Sequence, residues 1–287
     1  MQDENNLNEK SMIEKVAREI LIKTKRKIFS QNLGNNSTTF VGNGLDFHEL
    51  REYYFGDDVR KINWKATAKA GRPYINLFTE ERELNIVLAF MTSGSIAFGS
   101  QGIKQELMTE VFALLAFSAM KNGDSVGSLA FSSKEEYFRK ATKSINALQE
   151  IIPNLLSLES LGKEVDYENF SNYMLERVKQ KSIIFIIGDF FEELDLTLLS
   201  AKHEVYAVVV RDKFEEEPKL MGMLDLIDPQ NMASSGFEFN QKMINDYKEV
   251  IEKNDKKLYE HFMGHHIRYV KIYTDEEPYF KLNNLVR

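Results

Sequence analysis

The stretch SIIFIIGDF (Ser182 to Phe190) constrains the fold more than any other part of the chain. It is nearly continuous in apolar residues, as expected of a strand covered on both faces. NIVLAF (Asn85 to Phe90), SVGSLAFS and HEVYAVVVRD (His203 to Asp212) read as further strands. Helical segments alternate with them. Over about 103–122, Leu107, Val111, Leu114, Leu115 and Ser118 recur at three- and four-residue spacing. Helices are also expected over about 143–158 and 167–180, with a short one before His203. A long polar helix over about 240–263 precedes a last strand, HIRYVKIYT (His266 to Thr274), and a short edge strand is expected near Tyr137 and Phe138. Strands alternating with helices predict an α/β fold: a doubly wound, mostly parallel sheet with helices on both faces and right-handed crossovers. Ligands bind such sheets beyond the carboxyl ends of the strands, where strand order reverses. Two loops qualify, Met91–Ser95 and Gly188–Asp189.

Upstream the character differs. Residues 1–11 are polar and expected to be disordered, and about 12–30 reads as an amphipathic helix. Ser30 to Phe47 is rich in Gly, Asn, Ser and Thr, which predicts loop and extended chain. From about 38 to 82, extended segments with turns at FGDD and KAGRP are expected. The division is therefore a disordered start (1–11), an N-terminal helix with a β-rich element (12–82) and an α/β domain (83–287).

Composition narrows the classes of function. The sequence has no cysteine, which removes disulfides, thiolate metal ligands and a cysteine nucleophile. No apolar run approaches the roughly 20 residues that cross a bilayer. No basic segment leads into an apolar core at the N-terminus, so a cytoplasmic location is expected. A formal charge of −7 argues against a nucleic-acid partner. The one basic cluster, Lys15 to Phe29, reads as a solvated helix face opposite a stripe of Ile20, Leu21, Thr24 and Ile28. It is also the only place where contact with an anionic membrane is open.

Few residues point to chemistry. Asp189 ends an apolar strand, so it should be exposed at the rim, hydrogen-bonded or bound to a cation, or else cap a helix at EELDL. Ser93 and Ser95 offer neutral oxygens that, joined by an acid from another loop, make half of a hard-cation site. GLDFHELREYYFGDDVRKINW (Gly44 to Trp64) holds Asp46, Glu49, Arg51, Tyr53, Gly56, Asp57, Asp58, Arg60 and the only tryptophan. It reads as a salt-bridged scaffold that fastens this module to the main domain and buries its aromatics, or as a partner-binding surface. A metal-dependent hydrolase using Asp46, Asp57, Asp58 or Asp189 is the alternative. His261 and His265, four apart, share a helix face, but helix-end solvation is the expected role. No phosphate-binding glycine loop or nucleophile elbow is present.

Together GLDFHELREYYFGDDVRKINWKATAKAGRPYINLFTEERE, ALLAFSAMKNGDSVG, IIGDFFEE, HEVYAVVVRDKFEEE and YTDEEPY resemble the bacterial domain of unknown function 58 family, from about residue 12 to the C-terminus. The resemblance implies a Rossmann-like von Willebrand factor A-type domain with an N-terminal β-rich element. It also implies a non-enzymatic adaptor that works with a MoxR-type AAA+ ATPase and a client protein, in assembly or maturation. The A-domain's metal-ion-dependent adhesion site takes an Asp-x-Ser-x-Ser loop, a threonine and a further aspartate. Carried onto this chain, the first loop keeps Ser93 and Ser95 but has Met91 for its aspartate. Val165, beside Asp166, stands for the threonine, and Asp189 is kept. The implied site is degenerate, with at most weak Mg or Mn binding through Ser93, Ser95 and Asp189, no other cofactor, and a largely metal-independent binding rim.

Overall fold

The computed structural model describes residues 2–31, 46–79, 84–219, 222–230 and 232–286. Most of the expected loop from Ser30 to Phe47 lies outside them. The chain forms two compact units, Met1–Phe40 with Asn85–Arg287, and Val41–Leu84. In chain order, α1 (Gln2–Gln31) comes first, and the smaller unit carries β1 (Asp46–Glu52), α2 (Trp64–Ala70) and β2 (Tyr74–Thr79). The larger unit resumes with β3 (Asn85–Met91), α3 (Lys104–Lys121), β4 (Ser125–Phe131), β5 (Glu135–Thr142), α4 (Leu148–Leu156), α5 (Tyr167–Arg177) and β6 (Ile183–Gly188). It ends with α6 (Thr197–Lys202), β7 (Glu204–Arg211), α7 (Lys213–Glu216), β8 (Gly222–Ile227), β9 (Ser234–Phe239), α8 (Gln241–Gly264), β10 (Arg268–Tyr273) and α9 (Pro278–Leu285).

Six strands of the larger unit form one sheet in the order β10-β7-β6-β3-β4-β5, with β5 antiparallel to β4 and every other pair parallel. The apolar runs fill its middle. Leu88, Ala89, Phe90, Ile186, Ile187, Val208 and Val209 are fully buried, which satisfies strands with helices on both sides. The expected edge strand is β5, whose residues are largely half-buried or exposed.

Two boundaries differ from the sequence expectation. The N-terminal helix starts at Gln2, so residues 2–11 are helical where disorder was expected. It also belongs with the α/β unit rather than with the β-rich element. Ala17, Ile20, Thr24 and Ile28 recur at three- and four-residue spacing and are buried, and α1 packs on α3 and α4. Lys23 pairs with Glu110, so part of the basic face is held by an acid of α3.

The smaller unit is an antiparallel β1–β2 pair with a register irregularity between Phe47 and Glu49. It also contains a helix, α2, where extended chain running into a turn at KAGRP was expected. The Asn63 side chain accepts from the Ala66 amide at 2.9 Å, and Gly71 at φ 69° closes α2 in the left-handed region. The antiparallel hairpin β8–β9 and helix α9 were likewise unexpected. Among the described residues no helix is long and apolar enough to cross a membrane.

Candidate functional site

Strands β3 and β6 lie side by side, yet the chain leaves β3 for β4 on one flank and β6 for β7 on the other. Their carboxyl ends therefore flank the point where strand order reverses. A 3-10 turn at Gly94–Ala97 follows β3 and brings Ser93 and Ser95 together, with hydroxyl oxygens 2.8 Å apart. Ser95 donates to Asp189 Oδ2 at 2.5 Å, and Ser93 donates to Oδ1 at a longer 3.4 Å. The two serines and Asp189 thus meet as the sequence implied. Asp189, however, is 2% exposed, and it neither reaches the rim nor caps a helix, because α6 begins only at Thr197.

The group that closes this cluster was missed from sequence. Lys104, the first residue of α3, is fully buried, and its Nζ donates to Asp189 Oδ2 at 2.9 Å and to Glu215 Oε1 at 2.5 Å. Glu215 is itself fixed by a capping box at the start of α7. Its Oε2 accepts from the Asp212 amide, while Asp212 Oδ1 accepts from the Phe214 amide. The Asp212-x-x-Glu215 spacing is a readable sign of that box. Lys104 carries a subtler sign, because a cation in the first turn of a helix opposes the helix dipole.

Arg211, also buried, supports the cluster from behind. Its Nε donates to the Asp189 carbonyl, one Nη donates to the Phe190 carbonyl at 3.3 Å, and its guanidinium lies 3.6 Å from the Phe191 ring centroid. Phe190 is held at φ 54°, a left-handed backbone rare for a bulky residue, with its ring stacked on Tyr167. This strained corner turns the chain sharply just after Asp189.

Burial works against ionisation of Asp189, but the Lys104 charge, the Ser95 and Lys104 hydrogen bonds and the Arg211 charge outweigh it. Its carboxyl lies below the ordinary range. Glu215 goes the other way, raised by burial that Lys104 only partly offsets. Glu192 is pushed up to about 7, first by burial and then by the Asp189 charge. Burial raises the Tyr167 hydroxyl well above its usual value, reinforced by Glu192 and Asp189.

The remaining positions carried over from the A-domain pattern do not join this cluster. Met91 is 1% exposed and packs in the core with Val165, Tyr167 and Phe190. It covers Gly188, where an added Cβ would stand 3.0 Å from the Met91 Cβ. Asp166 is exposed and accepts from the Asn169 amide at 2.9 Å as the N-cap of α5. Met91, Ser93, Val165 and Asp189 are thus interior residues rather than an accessible rim. The donor set does not fit a divalent cation. Two of its five positions offer no oxygen, and the Asp189 oxygens are already engaged by two serines and an ammonium. Among the described residues no group of three or more His, Asp or Glu is placed to hold a metal.

In the smaller unit, the signature acids serve their own neighbourhood. Asp57 pairs with Arg51 at 2.9 Å and accepts from the Tyr54 amide at 2.8 Å. Asp58 caps the turn at Val59–Lys61, and its hydrogen bonds from Arg60 lower its pKa to about 2. Gly56 sits at φ 106° in the turn that makes these contacts possible. Tyr53 is half-buried, and its amide donates to the Pro73 carbonyl. The side chains of Asp46 and Glu49 lie outside the described residues. Within the unit the aromatics stand at different depths, and the Phe47 side chain lies outside the described residues. Tyr54, Phe55 and Trp64 are all exposed, Trp64 at 72%. His261 and His265 are not simply solvated. The first accepts from the Leu196 amide at 3.1 Å, and the second meets the Thr197 hydroxyl at 3.2 Å, so both tie α8 to the start of α6.

One cavity opens beside the cluster. It has a volume of about 490 Å³ and is lined mainly by apolar groups, among them Phe98, Leu161, Phe214, Ile227 and Tyr247, together with Ser95 and Glu215.

A family model described as a protein of unknown function, DUF58, matches residues 49–257. Uncharacterized proteins of Mycobacterium tuberculosis and Mycobacterium bovis are each 23% identical over 237 residues, covering 80% of this chain and 75% of theirs. Among solved structures, similarity extends to a conserved hypothetical protein, BatB, of Bacteroides thetaiotaomicron, with 13% identity, 71% of this chain, 97% of that chain and a TM-score of 0.43. An aerotolerance-related membrane protein of Bacteroides fragilis shares 12% identity over 71% of this chain and 98% of its own, with a TM-score of 0.46.

Proposed function

Because the chain belongs to the DUF58 family, a family of unknown function, we propose that it is a non-catalytic interaction adaptor with a von Willebrand factor A-type domain, working with a MoxR-type AAA+ ATPase to assemble or mature a client protein. Counted outward from β3, the sheet runs 3-2-1-4-5-6 with its third strand reversed, which supports the A-type reading. The observation that carries the adaptor role is the closed cluster at the switch point. Ser93, Ser95 and Asp189, where a catalytic or metal centre would lie, are buried and mutually satisfied, and the accessible surface beside them is an apolar cavity. Such a cavity is suited to an apolar side chain presented by the partner protein. Asp57 and Asp58, two acids of the hydrolase alternative, are engaged by Arg51 and Arg60.

The test is co-purification with the MoxR-type ATPase encoded in the same genome. Wild-type protein is expected to retain the ATPase in the presence of EDTA. Tyr247→Asp or Ile227→Asp at the cavity mouth should weaken capture about tenfold or more, in the range of an interface anchor. Capture of no such ATPase, or capture unaffected by both substitutions, would discard the reading.

A further inference from the structure

The geometry points to Lys104 as a tethered substitute for a divalent cation, making the switch-point cluster permanently charged-compensated and indifferent to free metal. Four oxygen-bearing side chains converge there: Ser93, Ser95, Asp189 and Glu215. Carboxylate and hydroxyl oxygens are the hard donors that Mg²⁺ or Mn²⁺ takes, and here Ser93, Ser95 and Asp189 touch one another while Glu215 joins them through Lys104. What stands between the two carboxylates is the Lys104 ammonium, 2.9 Å from Asp189 and 2.5 Å from Glu215.

The position is a poor one for a lysine on every other ground. The side chain is fully buried, and it lies at the positive end of α3. Among the described residues two acids compensate it, with the Phe191 ring centroid 5.1 Å from Nζ adding a favourable face. The replacement also changes what the site can do. A bound ion in an open cleft keeps a coordination position for an incoming acid. Lys104, wholly enclosed, offers none. Recognition by this module then owes nothing to a bridging carboxylate, and divalent ions or chelators do not switch it. The inference concerns the isolated protein and does not rest on the adaptor role.

The experiment is MnCl₂ titration of wild-type protein and of Lys104→Met, read by the paramagnetic signal of free Mn²⁺ and by thermal unfolding. Wild type is expected to bind no Mn²⁺. Lys104→Met, with both carboxylates released, is expected to bind one ion, and at roughly tenfold its Kd to gain about 3 °C in Tm. The double variant Lys104→Met/Glu215→Gln restores the wild-type net charge of the cluster, which guards against a single variant that fails to fold. It should bind Mn²⁺ more weakly than the single variant but still detectably. One Mn²⁺ bound by wild type and lost in Ser95→Ala would overturn the inference. So would a folded single or double variant with no affinity for Mn²⁺.

Discussion

Glu192 follows Asp189 by three residues, and its pKa moves the opposite way. Its pKa, ordinarily 4.5, is raised to about 7 by burial and by the Asp189 charge, while its Oε1 accepts from Gln230 at 3.0 Å. At pH below 4.5, folded and unfolded chains both hold this proton. As pH rises toward 7 the unfolded chain gives it up first, so stability falls, and above 7 the folded chain bears the full cost. Glu192→Gln keeps an acceptor for Gln230 and removes the charge. It is expected to be neutral at pH 4 and to stabilise by about 1–2 kcal/mol at pH 8.5, a gain lessened by partial solvation. Urea unfolding at the two pH values checks this, and an equal effect at both would contradict it. Asp189, with its lowered pKa, contributes stability above the ordinary carboxylate range and loses it as pH falls through the lowered value.

At the scale of elements, the Ser-Gly-Ser turn is fitted to the β8–β9 hairpin. A Cβ on Gly94 would stand 1.8 Å from the Pro229 carbonyl oxygen, and Gly162 donates to that same carbonyl at 2.8 Å. Backbone on both sides leaves nothing free to give way. Gly94→Ala is expected to cost about 2–3 kcal/mol in chemical denaturation. Gly264→Ala, where a Cβ meets nothing within 4 Å, is the control and should be neutral or mildly stabilising. The long elements were legible because periodicity and apolar runs report burial directly: β3, α3, β4, β6, β7, α8 and β10 lie within a few residues of expectation. The β8–β9 hairpin was not, since MLDLIDPQNMASSGFEF mixes apolar residues with Pro and Gly and has no sustained period. Helix α2 was hidden by its length, although Asn63 and Gly71 mark both of its ends.

For the molecule as a whole, the smaller unit interrupts the larger one in sequence, which is why a linear reading joined α1 to the wrong body. The stripe on α1 announces a buried face but not its partner, and only the tertiary structure names α3 and α4. The candidate site shows the same limit. Strand ends at a switch point could be foreseen, so Ser93, Ser95 and Asp189 were placed together. Lys104 and Glu215 could not, because local pattern carries no record of contacts across such distances in the chain. Asp189 lies 85 residues beyond Lys104, and Glu215 lies 111 beyond it. That separation has a consequence in time. The lysine meets its acids only once β6 and the β7–α7 corner are in place, so its pairing is expected to form late in folding. Removing a partner from a buried ion pair costs about 3–5 kcal/mol. In stopped-flow kinetics, Lys104→Met should leave the refolding rate almost unchanged and speed unfolding by roughly two to three and a half orders of magnitude. The pair then acts as a latch, idle while the sheet assembles and governing how long the finished fold stays shut.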